Sequence, residues 1–208
     1  MPDELPQIRT RWSEVSGGID AAHAYQRRFD ELARQGTDLD GEARFLHGLR
    51  EAPARILDAG CGTGRVATTL TRLGHDVVGV DADPAMIEVA RQRDDVTRFV
   101  HADLSTLSLT AQTFDIVALA GNVVPFLADG TLVEVLRRMR AHLSADGILV
   151  CGWALPGHQP QGAAAVSSED FERAAFAARL SLVTRHSSWD GAPWPGDGSW
   201  ALTLHRPR

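Results

Sequence analysis

One segment constrains this chain more than any other: Ile56-Leu57-Asp58-Ala59-Gly60-Cys61-Gly62-Thr63-Gly64-Arg65. An apolar run of strand character meets three glycines at alternate positions, and residues of helical spacing follow at once. Glycine turns tightly and lets a ligand lie against the backbone where the next helix begins. Such an opening belongs to a parallel α/β sheet.

From Arg55 onward short apolar runs alternate with helical segments, predicting strands at 55–59, 76–81, 97–101, 114–120 and 147–153. Between them, a helix over 64–73 is stopped by Gly74. Asp83-Pro84 supplies a cap and a first-turn proline ahead of Met86, Ile87 and Ala90. Thr131 and Glu134 have capping-box spacing before Val135, Leu136 and Met139. A last helix at 168–179 leads into two alternating runs, 180–186 and 199–205, whose connection is too short for a crossover helix. Those two runs are expected to pair antiparallel.

The first 50 residues read as a helical cap. Asp20 is expected to cap a helix with Ala22, Tyr25, Phe29, Leu32 and Ala33 on one face and Gly36 as its stop. Asp40 then starts a shorter helix through Phe45, Leu46 and Leu49. The 208 residues, 44% hydrophobic and 23% charged, suit one domain over 1–208 that includes the cap at 1–50.

Composition narrows the chemistry. The chain has no lysine, so all 21 of its Lys and Arg positions are arginine and Schiff-base or P-loop lysine chemistry is excluded. A net charge of −6 argues against a nucleic-acid partner. Cys61 and Cys151 form no C-x-x-C pair and cannot build a zinc site, so they are expected to be reduced core residues and no metal is expected. No apolar stretch reaches 18 residues and the start lacks a signal-peptide pattern, so a soluble cytoplasmic protein with no membrane partner is the expectation.

Two details sharpen the glycine loop. A dinucleotide fingerprint wants its third glycine where this chain has Arg65, and Asp58 places a carboxylate where a pyrophosphate would sit. That carboxylate suits a ligand bearing an ammonium group. Val77-Val78-Gly79-Val80-Asp81 ends a second strand in an acid placed to accept both hydroxyls of a ribose. After a third strand, Asp103 is placed to accept an exocyclic adenine amine.

In these residues the chain resembles the class I S-adenosylmethionine-dependent methyltransferases. Gly60-Cys61-Gly62-Thr63-Gly64 is similar to the family's glycine motif, Asp81 to its ribose acid and Asp103 to its adenine contact. Phe114-Asp115-Ile116-Val117 and the segment from Leu143 to Leu149 resemble its fourth strand and the turn into its fifth. The resemblance covers residues 50–153 and implies a doubly wound, Rossmann-like α/β fold. Its seven-stranded, mostly parallel sheet would have the order 3-2-1-4-5-7-6, with strand 7 antiparallel. It further implies S-adenosylmethionine as cofactor and S-adenosylhomocysteine as product. Asp58, Ala59, Gly60, Cys61, Gly62 and Gly64 would hold the methionine moiety, and Asp81 the ribose. Ala82 and Met86 would line the adenosine, Ala102, Asp103 and Leu104 would flank adenine, and Ala120 to Asn122 would lie beside the sulfonium.

Absences narrow the acceptor. Ala120-Gly121-Asn122-Val123-Val124-Pro125-Phe126 lacks the Asn/Asp-Pro-Pro-aromatic motif of amide and adenine N6 methyltransferases. Neither cysteine stands where cytosine C5 chemistry needs one, and the acidic signatures of aminopropyl transfer are missing. No catalytic residue can be assigned. Tyr25, Asn122 and His158 are the substrate-side candidates, each with a plainer reading as packing, turn or solvated loop residue. Trp189 and Trp194 suit a stacking surface or a cover for the terminal hairpin, and Arg137, Arg138 and Arg140 a solvated helix face. The reading is methyl transfer to a small-molecule acceptor. Its alternatives are a non-catalytic S-adenosylmethionine-binding or interaction module and a nicotinamide oxidoreductase, the latter disfavoured by Asp58 and Arg65.

Overall fold

The structure is a computed structural model that describes residues 9–110 and 112–208, so positions 1–8 of the expected cap lie outside it. Seven strands form one sheet: β1 (Arg55–Ala59), β2 (Asp76–Asp81), β3 (Arg98–His101), β4 (Phe114–Leu119), β5 (Leu143–Ala154), β6 (Leu180–His186) and β7 (Trp200–Pro207). Their order is β3-β2-β1-β4-β5-β7-β6. The pairs among β1 to β5 are parallel, while β7 runs antiparallel to both β5 and β6.

Alternation along the strands divides the core. Leu57, Val78, Val117 and Leu149 point to one face, where α7 (Leu132–Ala141) and α8 (Ser168–Ala177) bring Met139 and Phe171. Their neighbours Ile56, Val77, Ile116 and Val150 point to the other. There α3 (Gly41–Leu49), α4 (Arg65–Arg72) and α5 (Pro84–Arg93) bring Leu46, Leu70 and Ala90. Burial on both faces explains why these strands read as continuous apolar runs. Two more helices, α1 (Arg11–Val15) and α2 (Gly18–Arg34), lie over the carboxyl ends of the strands, with Ala22 of α2 packed on Ala85, Met86 and Val89 of α5. Among the described residues no helix is long and apolar enough to cross a membrane.

Local chemistry departs from expectation at several points. α2 begins at Gly18 with Gly17 as its cap, so Asp20 sits inside the first turn, where its charge favours the helix dipole. Asp40 holds the cap position of α3, but its carboxylate accepts the Thr69 hydroxyl of α4 at 3.0 Å instead of a backbone N–H. Thr131 makes no side-chain cap, because its hydroxyl donates backward to the Ala128 carbonyl at 2.7 Å. Glu134 pairs instead with Arg138 at 2.9 Å. β5 starts at Leu143 and not Gly147, its register with β4 shifting between Phe114 and Ile116. Only Ala22 and Gln26 of α2 are buried; Ala33 is exposed and Tyr25, Phe29 and Leu32 look toward a cavity. One short element, α6 (Val123–Phe126), follows β4 and has no sequence-level expectation.

Candidate functional site

Chain order reverses between β1 and β4, and the crevice outside their carboxyl ends is where an open α/β sheet binds ligands. The glycine loop forms one wall. Gly60, Gly62 and Gly64 all adopt positive φ, at 86°, 54° and 84°. The backbone N–H groups of Gly60 and Cys61 donate to the Val80 carbonyl at 2.7 and 3.0 Å, fastening the loop to β2. Asp81 completes the fastening: one oxygen accepts Gly62 N–H at 2.8 Å and the other accepts Asp83 N–H at 2.9 Å. Burial raises its pKa to about 6, against the lowering effect of those two bonds. Each carboxylate oxygen retains a lone pair for a hydroxyl.

The glycines have different tasks. A methyl group on Gly64 would lie 2.7 Å from the Phe99 ring, so that position is bare to let α4 approach β3. At Gly62 and Gly121, which both line the crevice at positive φ, a methyl would meet no protein atom within 4 Å. Those two leave open space at the edge of the crevice.

Asp58 lies beneath the loop and does not line the cavity. It is 2% exposed and accepts the Ala67 N–H at 3.1 Å. The reason is local: α4 has glycine as its cap residue and no cap side chain, so a carboxylate from β1 satisfies one of its free N–H groups. Burial raises the Asp58 pKa to about 7, opposed by Arg65. Cys61 is likewise buried, which pushes its thiol well above the ordinary range. Ala59, Gly64, Ala102 and Ala120 also stand behind the surface, supporting it without lining it.

The cavity holds about 620 Å³, within the ordinary range of small-molecule sites. On one side it brings together Asp81, Ala82, Met86, Asp103 and Leu104. Asp103 turns one oxygen back to Ser105 N–H at 2.7 Å. Near the middle lie Gly60 and Asn122, whose side-chain oxygen accepts Ala154 N–H at 2.7 Å and bridges the ends of β4 and β5. The far side is walled by Val15, Phe126, Leu127, Pro160 and Trp200, and Trp12 reaches from the Met86 side across to Phe126. His158 is exposed and does not line the cavity, although Pro160 and Gln161 of the same loop do. Trp189 packs against Phe45 and covers Gly152, while Arg185 lies over Trp194; neither tryptophan lines the cavity.

The N-terminal helices roof the cavity. Gln26 accepts the Thr63 hydroxyl of the glycine loop and donates to Asp30 at 2.8 Å. Arg65 pairs with Glu42 of α3 at 2.6 Å. Trp12 donates its indole N–H to Asp83 at 2.9 Å and sets its ring edge-on to Tyr25 and Phe126, with centroids 5.9 and 5.4 Å away. The Tyr25 phenol sits beneath this roof with a pKa raised chiefly by burial. Sequence reasoning missed Trp12, Arg28, Glu42, Phe126 and Trp200. Only the α2 face carried a signal, and its spacing suits core packing equally well.

Known proteins match this arrangement. A family model described as a methyltransferase domain matches residues 56–147. The crystal structure of a TehB-like S-adenosylmethionine-dependent methyltransferase from Corynebacterium glutamicum is similar at 33% identity and a TM-score of 0.82, over 90% of this chain and 98% of that one. This chain belongs to the S-adenosylmethionine-dependent methyltransferases. A ubiquinone biosynthesis O-methyltransferase from Methylocella silvestris is 39% identical over 162 residues, 72% of this chain and 56% of the relative. A malonyl-[acyl-carrier protein] O-methyltransferase from Serratia marcescens is 31% identical over 136 residues, 64% of this chain and 48% of the relative. The chain thus spans about half the length of these curated relatives. S-adenosylmethionine is the cofactor of the methyltransferase family, and the glycine cradle beside Asp81 fits it.

Proposed function

We propose that this methyltransferase transfers the S-adenosylmethionine methyl group to a small-molecule acceptor in the cavity at the β1/β4 crevice. The observation that carries the reading is the bare floor over Gly62 and Gly121 beside the Asp81 carboxylate. In this reading Asp81 accepts the ribose hydroxyls, and Met86, Ala82 and Leu104 clasp the adenine while the free oxygen of Asp103 takes its amine. Gly60 and Asn122 border the reacting sulfur, and Asp58 acts from below by holding α4 in place. When bound, the cofactor supplies an electrophilic methyl group. The chain supplies alignment and a water-poor space, which in-line displacement rewards.

A cavity of about 620 Å³ has the size of a small-molecule site, which supports a compact acceptor. Oxygen as the attacked atom is supported by the O-methyltransferase names of the relatives in Methylocella and Serratia. The acceptor side is open in the structure, which speaks against a binding module without turnover. Calorimetry with S-adenosylhomocysteine and NADH tests the cofactor, and release of S-adenosylhomocysteine from metabolite pools tests turnover. Heat from NADH and none from S-adenosylhomocysteine would overturn the reading.

A further inference from the structure

The cavity has an uneven distribution of charge. Its three carboxylates, among the described residues, are Glu42, Asp81 and Asp103. Glu42 is neutralised by Arg65 at 2.6 and 3.1 Å, and the two aspartates stand at the ends of β2 and β3, on the adenosine side. Among the described residues no carboxylate lines the acceptor side, where Val15, Phe126, Leu127 and Pro160 present apolar surface and Thr131 a neutral hydroxyl. No imidazole, thiol or amine lines the cavity among the described residues, and the chain has no lysine. The ionisable groups that roof it are donors: the Tyr25 phenol and, one turn along α2, Arg28, which has no carboxylate partner among the described residues.

We infer that the acceptor enters as an anion with a compact apolar body, such as a carboxylate, a thiolate or an acidic phenolate. This rests on the proposed methyltransferase reading. Among the described residues no group on the acceptor side is placed to remove a proton, so the nucleophile is expected to arrive ready. Attack by an anion forms one bond from its lone pair to the methyl carbon. The carbon–sulfur bond breaks with its electron pair left on sulfur, and no proton moves. A positive and a negative charge become two neutral groups, a change that apolar walls favour. An amine would leave an ammonium in the same space, with no carboxylate to face it.

Calorimetry with three probes of one shape, benzoate, benzamide and benzylammonium, tests the inference on protein saturated with a cofactor analogue. Sinefungin carries an ammonium where the sulfonium would be, and S-adenosylhomocysteine is neutral there. On the sinefungin complex benzoate should bind at least tenfold more tightly than either other probe, and the preference should shrink on the S-adenosylhomocysteine complex. Thr131→Asp retains a side chain favoured at a helix cap while placing a carboxylate on the acceptor wall. It should weaken benzoate about tenfold, while continued binding of S-adenosylhomocysteine, which is neutral at that position, shows that the variant is folded. Benzamide or benzylammonium binding as tightly as benzoate, or benzoate not binding at all, would overturn the anionic acceptor while the cofactor reading stands. Failure of both analogues to bind would sink the methyltransferase reading itself and this inference with it.

Discussion

At the residue scale, two buried aspartates with similar sequence contexts have separate work. Asp81 ties the loop to β2 through Gly62 and Asp83 and faces the cavity. Hydroxyls donated by a ribose would favour its ionised form and lower its pKa from about 6. Cofactor binding should therefore release a proton and weaken as pH falls below about 6, which calorimetry in buffers of different ionisation enthalpy would register. Asp81→Asn should cost about 1.5–3 kcal/mol of S-adenosylhomocysteine affinity for each charge-assisted bond lost. Asp58 meets only the helix. Its pKa of about 7 in the folded chain exceeds the ordinary 3.8, so the folded state holds a proton that the unfolded state has lost over that interval. Stability should accordingly fall as pH rises from about 4 to 7, by an amount on the order of 3–4 kcal/mol. Asp58→Asn should flatten that slope in urea titrations, because the amide oxygen can still accept Ala67 N–H.

In the proposed reading the turn from β1 into α4 decides ligand binding, and its glycines are expected to separate folding from recognition. Gly64→Ala would drive a methyl to 2.7 Å from Phe99 in a left-handed backbone, so a loss of about 2–4 kcal/mol in stability is expected. Gly62→Ala meets open space and should cost only about 1–2 kcal/mol from its positive φ. Its methyl enters the cradle, so cofactor affinity should drop far more than stability does. Thermal unfolding and calorimetry on the same two variants would check the contrast; equal loss of affinity per unit of stability would refute it. The same turn is clamped from above by Gln26, through the Thr63 hydroxyl. Gln26→Leu strands the polar partners of a nearly buried amide and is expected to lower stability by about 1–3 kcal/mol in a urea titration.

Across the whole molecule, α1, α2 and the loop over residues 155–162 each contribute to the wall of the cavity, through Trp12, Tyr25 and Pro160. α1 is a strap fixed at separated points: Arg11 on Asp129 at 2.7 Å, Trp12 on Asp83, and Val15 over Gly162. The Arg11–Asp129 pair is exposed and contributes little, so the strap is held mainly by one indole and its neighbours. Hydrogen exchange over 11–15 and 155–162 should be fast in the free protein and slow when S-adenosylhomocysteine is added, with β1 and β4 protected throughout. Full protection of both segments before ligand is added would argue that entry takes another route.

The order of the strands came from the resemblance to a family, since which strands lie side by side is set by contacts far apart along the chain. The glycine turn and the acids at the ends of β2 and β3 were legible in the sequence because each rests on local rules. Burial on both faces writes an apolar run, a tight turn demands glycine, and a strand-terminal acid needs no partner far along the chain. Asp83-Pro84 was legible for the same reason: cap and first-turn residue lie within one turn, and Asp83 accepts Ala85 N–H at 2.9 Å. Thr131 looked equally local, yet its hydroxyl found the Ala128 carbonyl, a choice set by the path of the chain out of α6. Which face of α2 lines the cavity and which packs on protein depended on α5 and the glycine loop, elements dozens of residues away. The same holds for Asp58. Its type and position suggested a ligand contact, and the packed helix above it shows where one oxygen of that carboxylate goes, to the N–H of Ala67.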